Sequence, residues 1–299
     1  MFVIQHHKFF FILTALLFLV SLGGIIGVGV PVGIDFKGGA LLEISYPGER
    51  PEVSLLEERI RSLPIGGFSI RETGDTGYII RTRALNEAEH QAILALLSQD
   101  EGLNPTEERF TTIGPVIGQE LRNKALVAIV LVLLAIILFI AYAFRGVSEI
   151  VSSWKYGIVA VITLVHDIVI PSGAFVAYSM LTGAELDILF VMALLAILGY
   201  SVNDTIVIFD RVRENLKINQ EQNVVSTFRE TVGQSLSQTY VRSINTSLTT
   251  AFVLLMLFLL GGSAIEAFAF VLLVGVIAGT YSSLFFAAPL LVWIQGRKQ

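Results

Sequence analysis

Six stretches of roughly twenty almost uninterrupted apolar residues recur in this chain, near 9–30, 125–144, 156–180, 188–209, 241–260 and 267–294. At 1.5 Å per residue, about twenty residues of helix cross the ~30 Å of hydrocarbon in a bilayer. No water satisfies a peptide group inside lipid, so a single spanning segment must bond its backbone to itself, as a helix. The expected architecture is therefore an α-helical membrane protein with six transmembrane helices. Composition agrees: 54% of the residues are apolar and only 15% charged, against about a quarter charged in soluble domains.

Between the first and second runs lies a mostly polar stretch, 31–123, of ordinary small-domain length. Residues 40–46 read as a strand closed by Pro47-Gly48. Val53, Leu56, Ile60 and Leu63 have the spacing of an amphipathic helix. Short alternating runs at 68–72 and 78–83 are joined through Thr73-Gly74-Asp75-Thr76-Gly77, as in a hairpin. Asn86 is placed to N-cap a helix through Leu97, with Glu89 at the capping-box position. A last strand, 109–113, leads back to the membrane. The order strand-helix-strand-strand-helix-strand is the split βαβ, ferredoxin-like α+β pattern. That fold names no activity, and with no convergent His, Cys or carboxylate cluster it reads as a docking or substrate-handling module rather than a catalytic one.

Lys and Arg mark the cytoplasmic side of a membrane protein. The loops after the second and fourth spans carry Arg145, Lys155, Arg211, Arg213, Lys217 and Arg229; the tail adds Arg297 and Lys298, and Lys8 precedes the first span. The opposite loops, 181–187 and 261–266, have no basic residue and carry Glu185, Asp187 and Glu266. The expected layout is residues 1–30 as cytoplasmic N-terminus and first helix, 31–123 outside in the periplasm, and 124–299 as a five-helix bundle with a cytoplasmic loop 210–240 and a cytoplasmic C-terminus. Lys8 before an apolar core resembles a signal peptide, but the run exceeds a typical signal core and no Ala-x-Ala site ends it, so it is read as a retained span.

Two acids break the apolar pattern. Asp204, flanked by Asn203 and Thr205, lies about 9 Å inside Asp210 along a helix, and a carboxylate at mid-membrane costs roughly 2.5–3.5 kcal/mol on insertion scales. Such residues usually face a bundle interior and mark an ion or proton pathway. Positions 196, 200, 203/204, 207 and 211 share one helical face. The uninterrupted apolar part of the fifth span, 248–260, is too short to cross alone. Its helix is therefore expected to begin near Val241, with a polar stripe Arg242, Asn245, Thr246, Thr249 and Thr250. A buried carboxyl resists ionisation and a nearby guanidinium favours it, so an Asp204–Arg242 pair that forms and parts would take up and release a proton. The alternative is a static polar clasp, or packing alone for Asn245, Thr246 and Thr249. Asp167, four residues before Pro171, is either a second relay group or a partner for a neighbouring helix. Asp210, Arg211, Arg213 and Glu214 read as an interfacial anchor, and His166 as a packing residue. Gly275, Gly279 and Ser283 form a small-residue stripe suited to close helix packing.

Several chemistries are missing. There is no G-x-x-x-x-G-K-[ST] loop for ATP, no metal spacing among His6, His7, His90 and His166, no cysteine and no nucleophilic triad. The net charge of −5 gives no basic surface for nucleic acid. No enzyme activity and no cofactor are expected; work would be driven by an ion gradient or a partner.

Four stretches resemble the SecF branch of the SecD–SecF family of bacterial protein-export membrane proteins, in the resistance-nodulation-division (RND) superfamily. They are Gly33-Ile34-Asp35-Phe36-Lys37-Gly38-Gly39, Ile113-Gly114-Pro115-Val116-Ile117-Gly118-Gln119-Glu120-Leu121, Gly199-Tyr200-Ser201-Val202-Asn203-Asp204-Thr205 through Phe209-Asp210-Arg211-Val212-Arg213-Glu214-Asn215, and Arg242-Ser243-Ile244-Asn245-Thr246-Ser247. The resemblance implies an RND-type half of six spans with one periplasmic ferredoxin-like domain, in the bacterial inner membrane. It implies SecD, the SecYEG channel, YajC and the translocating preprotein as partners, and use of the proton gradient to assist export. Asp204 falls on the family's membrane-embedded acid and Arg242 on the arginine of the same path. Asp35, Gly38 and Gly39 fall on the membrane–periplasm junction, where free φ at Gly33, Gly38 and Gly39 suits a hinge. Two other readings stand beside this one. A small-molecule exporter subunit of the same superfamily would carry a larger outward domain, and a scaffold half would leave the proton path to its partner.

Overall fold

The computed structural model describes residues 2–98, 104–143 and 153–296. Arg145, Arg297 and Lys298, counted above among the basic residues, lie outside the described residues. Among the described residues, six helices are long and apolar enough to span a membrane. They are α2 (His7–Gly27), α6 (Pro115–Ala143), α7 (Ser153–Thr182), α8 (Ile188–Glu221), α9 (Phe228–Leu260), and a last span built from α10 (Ser263–Tyr281), a π-helical turn (Ser282–Ala287) and α11 (Ala288–Gly296). Short helices α1 (Phe2–Gln5), α3 (Ile34–Lys37), α4 (Val53–Arg61) and α5 (Glu87–Leu97) complete the set with strands β1 (Gly39–Ser45), β2 (Ser69–Thr73), β3 (Gly77–Thr82) and β4 (Thr106–Ile113).

The chain forms two compact units, Val32–Leu126 with Glu185–Ile188, and the remainder. In the first, the sheet order is β2-β3-β1-β4 with every neighbouring pair antiparallel, the ferredoxin-like order. Its core is one face of the sheet, Ala40, Leu42, Ile44, Tyr78 and Ile80, under Leu56 and Ile60 of α4 and Ile93 and Leu97 of α5, all buried. Each leucine or isoleucine among them stabilises by about 1.5–3 kcal/mol when fully buried. The Asn86–Glu89 capping box forms as the spacing predicts. Glu89 also pairs with Arg83 at 2.5 Å, and the Arg83 hydrogen bond, aided by the Asn86 backbone, holds its carboxyl down at about 2.

The glycine-rich stretch behaves differently from a uniform hinge. Gly38 and Gly39 do have positive φ, 78° and 140°, where L side chains are strained. Gly33 has φ −80°, open to any residue; a Cβ there would instead sit 2.9 Å from the Leu186 carbonyl. The Gly33 N–H donates to that carbonyl at 2.8 Å, and Val32 bridges Leu186 in parallel. In the same unit Asp35 Oδ2 accepts from the Ile188 N–H at 2.8 Å, supplying the first turn of α8 with an acceptor that the helix itself cannot provide. Arg81 Nε lies 3.1 Å from Glu185 Oε2. Burial pushes the Arg81 guanidinium below its ordinary value, against the pull of Glu185.

In the membrane unit the apolar runs fix where the helices cross, but not where they end. Residues 210–240, expected as a loop, are helical except for 222–227. α9 starts thirteen residues before Val241, at a Thr227–Glu230 capping box. The polar extensions of α8 and α9 hold each other outside the apolar zone: Asn215 Nδ2 donates to Ser235 Oγ at 2.8 Å and Arg211 Nε to Gln238 Oε1 at 2.6 Å. α7 runs unbroken through Pro171.

Helices approach most closely where side chains vanish. A Cβ on Gly173 of α7 would lie 2.4 Å from Ser21 Cβ and 2.5 Å from Ser21 Cα on α2, so backbone rather than a flexible tip must yield. Gly173→Val is expected to cost at least the ~1–3 kcal/mol of core overpacking, read as a lower midpoint for heat-induced loss of monodispersity in detergent. An unchanged midpoint would show that α2 and α7 separate freely.

Candidate functional site: a buried acid cluster

The small-residue stripe of the last span meets α8 in register. A Cβ on Gly275 would collide with Ile197, and one on Gly279 would lie 3.0 Å from Ser201 Cβ. One turn further, Ser283 Oγ and Thr205 Oγ1 are 2.8 Å apart. Each step advances four residues on both helices, so α8 and the last span run parallel in close contact, as small residues allow. This contact delivers two hydroxyls to Asp167 and brings Thr280 to Ser247 of α9, the serine that bonds Asp204.

Asp167 is fully buried. Its Oδ2 accepts from Ser201 Oγ of α8 and from Ser282 Oγ of the π-helical turn at 2.9 Å, while Oδ1 lies 2.9 Å from His166 Nδ1. Asp204 is 5% exposed, and its Oδ2 accepts from Ser247 Oγ of α9 at 3.3 Å. Thr280 Oγ1 and the Tyr200 hydroxyl approach the same Ser247 Oγ at 2.6 Å and 3.3 Å. Ser201 precedes Asp204 by three residues on α8, so the two clusters are one helical turn apart. The π-helical turn lets consecutive serines serve different helices, Ser282 reaching α7 and Ser283 reaching α8; such turns recur at functional sites.

The other expected site residues separate by helical phase. Asn203 is exposed beside buried Asp204. Arg242, Asn245, Thr246 and Thr249 are all exposed on α9, and among the described residues no ion pair joins Arg242 to Asp204. The Thr246 and Thr249 hydroxyls bond their own helix, to the Arg242 and Thr246 carbonyls at 2.9 Å and 2.8 Å. Asp210 pairs with Arg213 at 3.0 Å and Arg211 with Glu214 at 2.6 Å along α8. Asp35 lies in the α+β unit. No group of acids and imidazoles among the described residues could hold a metal. Sequence reasoning missed Ser201, Ser247, Thr280 and Ser282; the Ser282-Ser283 doublet in an apolar span was the available signal.

Fold and site together define a multi-pass membrane protein: six apolar helices, of which α7, α8, α9 and the last span supply the buried acids and their hydroxyl partners, with one ferredoxin-like α+β unit. Residues 93–297 match the family model for the protein export membrane protein SecD/SecF, C-terminal. The protein translocase subunit SecF of Thermobaculum terrenum is 37% identical over 95% of this chain and 90% of its own length. A crystal structure of SecDF, a translocon-associated membrane protein from Thermus thermophilus, aligns with TM-score 0.83 at 31% identity, covering 98% of this chain but 38% of that one. A second SecDF structure, in a super-membrane-facing form, aligns with TM-score 0.68 over 99% of this chain. The chain belongs to the SecF family of protein translocase subunits.

Proposed function

We propose that this chain is the SecF-type half of a SecD–SecF complex in the bacterial inner membrane, using the proton gradient to assist preprotein movement through the SecYEG channel, with YajC as an accessory partner. Both termini face the cytoplasm and residues 31–123 the periplasm, as the distribution of basic residues favours. The observation that carries the reading is the polar face exposed on α8 and α9 beside a buried acid. Asn203, Arg242, Asn245, Thr246 and Thr249 point out of the bundle. Polar and charged groups at membrane depth almost always face protein or a water-filled cavity rather than lipid. A second membrane half covers them, and SecD supplies it; this chain matches only 38% of the SecDF chain, which leaves room there for such a half. The proton path then runs in the seam, through Asp204 with Asn203 and Arg242 at its edge. A static scaffold would gain little from a buried acid that makes a single hydroxyl hydrogen bond, from Ser247 at 3.3 Å.

Proteoliposomes containing this chain and its SecD half provide the test. A pH gradient is expected to drive proton entry and to stimulate preprotein release, and an uncoupler to remove both. Release that persists undiminished without any ion gradient would overturn the reading.

A further inference from the structure

At the end of the bundle that carries the N-terminus lies a cavity of about 250 Å³, lined by Ile4, His7, Arg229, Pro289, Val292 and Trp293 among others. It is smaller than the ~300–1,000 Å³ of drug-sized sites, which suits a headgroup. Its depth follows from α2, whose 21 residues begin at His7. They span about 31 Å, the hydrocarbon thickness, so His7 and the cavity lie at the headgroup layer. Phe2, Phe9 and Trp293 are exposed at this end, as aromatic side chains at membrane interfaces are.

The charge here is one-sided. No carboxylate lines the cavity. Arg229 donates through Nη2 to the Ile4 carbonyl at 2.9 Å, and among the described residues it has no acid partner. Its neighbour Glu230 is turned away to the Thr227 N–H at 2.9 Å. Arg211 and Arg213, by contrast, are both paired with acids. A guanidinium offers five donors in a planar fork that matches phosphate, and most of those on Arg229 have no partner among the described residues.

We propose that this cavity binds the phosphate of an anionic phospholipid, with Arg229 as its charge partner and Ile4, Pro289, Val292 and Trp293 as the apolar wall beneath the glycerol. The apolar wall and the headgroup depth favour a lipid over a soluble anion. The chain has two tryptophans, so Trp154→Phe leaves Trp293 as its only indole. In nanodiscs of the full chain with a SecD half carrying no tryptophan, brominated phosphatidylglycerol should quench Trp293 at about fivefold lower mole fraction than brominated phosphatidylcholine, the effect of one basic residue near an anionic surface. Arg229→Gln should erase that preference and Arg229→Lys should keep it. Equal quenching by the two lipids, no quenching by either, or a preference that survives Arg229→Gln would overturn the proposal. Inorganic phosphate abolishing the preference at matched ionic strength would make this a site for a free anion and overturn the lipid assignment.

Discussion

Replacing Asp204 by asparagine is expected to leave the chain folded and joined to its partner while proton-coupled transport falls by about two orders of magnitude, a usual cost of losing a positioned proton-transfer group. The carboxyl is 5% exposed, and its one hydrogen bond among the described residues comes from Ser247 Oγ at 3.3 Å. An amide oxygen accepts that bond equally well, and the volume hardly changes, so packing against α9 survives. What is lost is a group that can be neutral in one arrangement and charged in another. Each proton carried across the field brings ~2.3 kcal/mol per 100 mV, and without an ionisable group here that work is not collected. Asp204→Glu restores the acid but moves it by one methylene, and should recover part of the current. Ser247→Ala removes a hydroxyl worth ~0.6 kcal/mol on average inside a membrane and should slow transport without stopping it. The measurement is proton current in proteoliposomes at matched incorporation. Wild-type current in Asp204→Asn would remove this residue from the pathway.

That Asp204 is buried among helices was legible in the sequence, because an acid in an apolar run stands out wherever its neighbours lie. Its partners did not stand out. Ser201, Ser247, Thr280 and Ser282 are small, nearly neutral in hydropathy, and come from helices far apart in sequence. Arg242 was legible as a charge but not by direction. It lies five residues before Ser247, about 140° away around the helix, so when Ser247 faces Asp204 the arginine faces outward. The six crossings were equally legible, since lipid forces helix on any apolar run of that length. The helix ends were not, because apolarity stops at the hydrocarbon edge whereas α8 and α9 continue as polar helices holding each other through Asn215 and Arg211. A local signal existed in Thr227-x-x-Glu230, the same capping grammar that placed α5 at Asn86. In the α+β unit, alternation and turn residues gave every strand, and only the start of β4 at Thr106 came earlier than its alternation suggested. The π-helical turn has no sequence signature, and it is what lets Ser282 and Ser283 serve two helices.

Asp167 should behave oppositely to Asp204. Both carboxyl oxygens are engaged, by His166 on its own helix, Ser201 on α8 and Ser282 in the last span, and it is fully buried. That arrangement ties three helices through one side chain and leaves no oxygen facing the exposed polar side of α8 and α9. Asp167→Ala removes up to three hydrogen bonds at once, although Ser282 Oγ keeps the Gly279 carbonyl at 3.0 Å; at ~0.6–1.7 kcal/mol per membrane hydrogen bond, the loss is about 2–5 kcal/mol and should appear as poor accumulation and early aggregation. Asp167→Asn can place its oxygen where both serines donate and its amide N–H toward His166 Nδ1, so its thermal midpoint should stay near wild type. With that scaffold intact, proton current in Asp167→Asn should also stay near wild type, as a static clasp requires. A current lost in Asp167→Asn at preserved thermal stability would instead make Asp167 a second station of the relay, with Ser201 bridging one helical turn to Asp204.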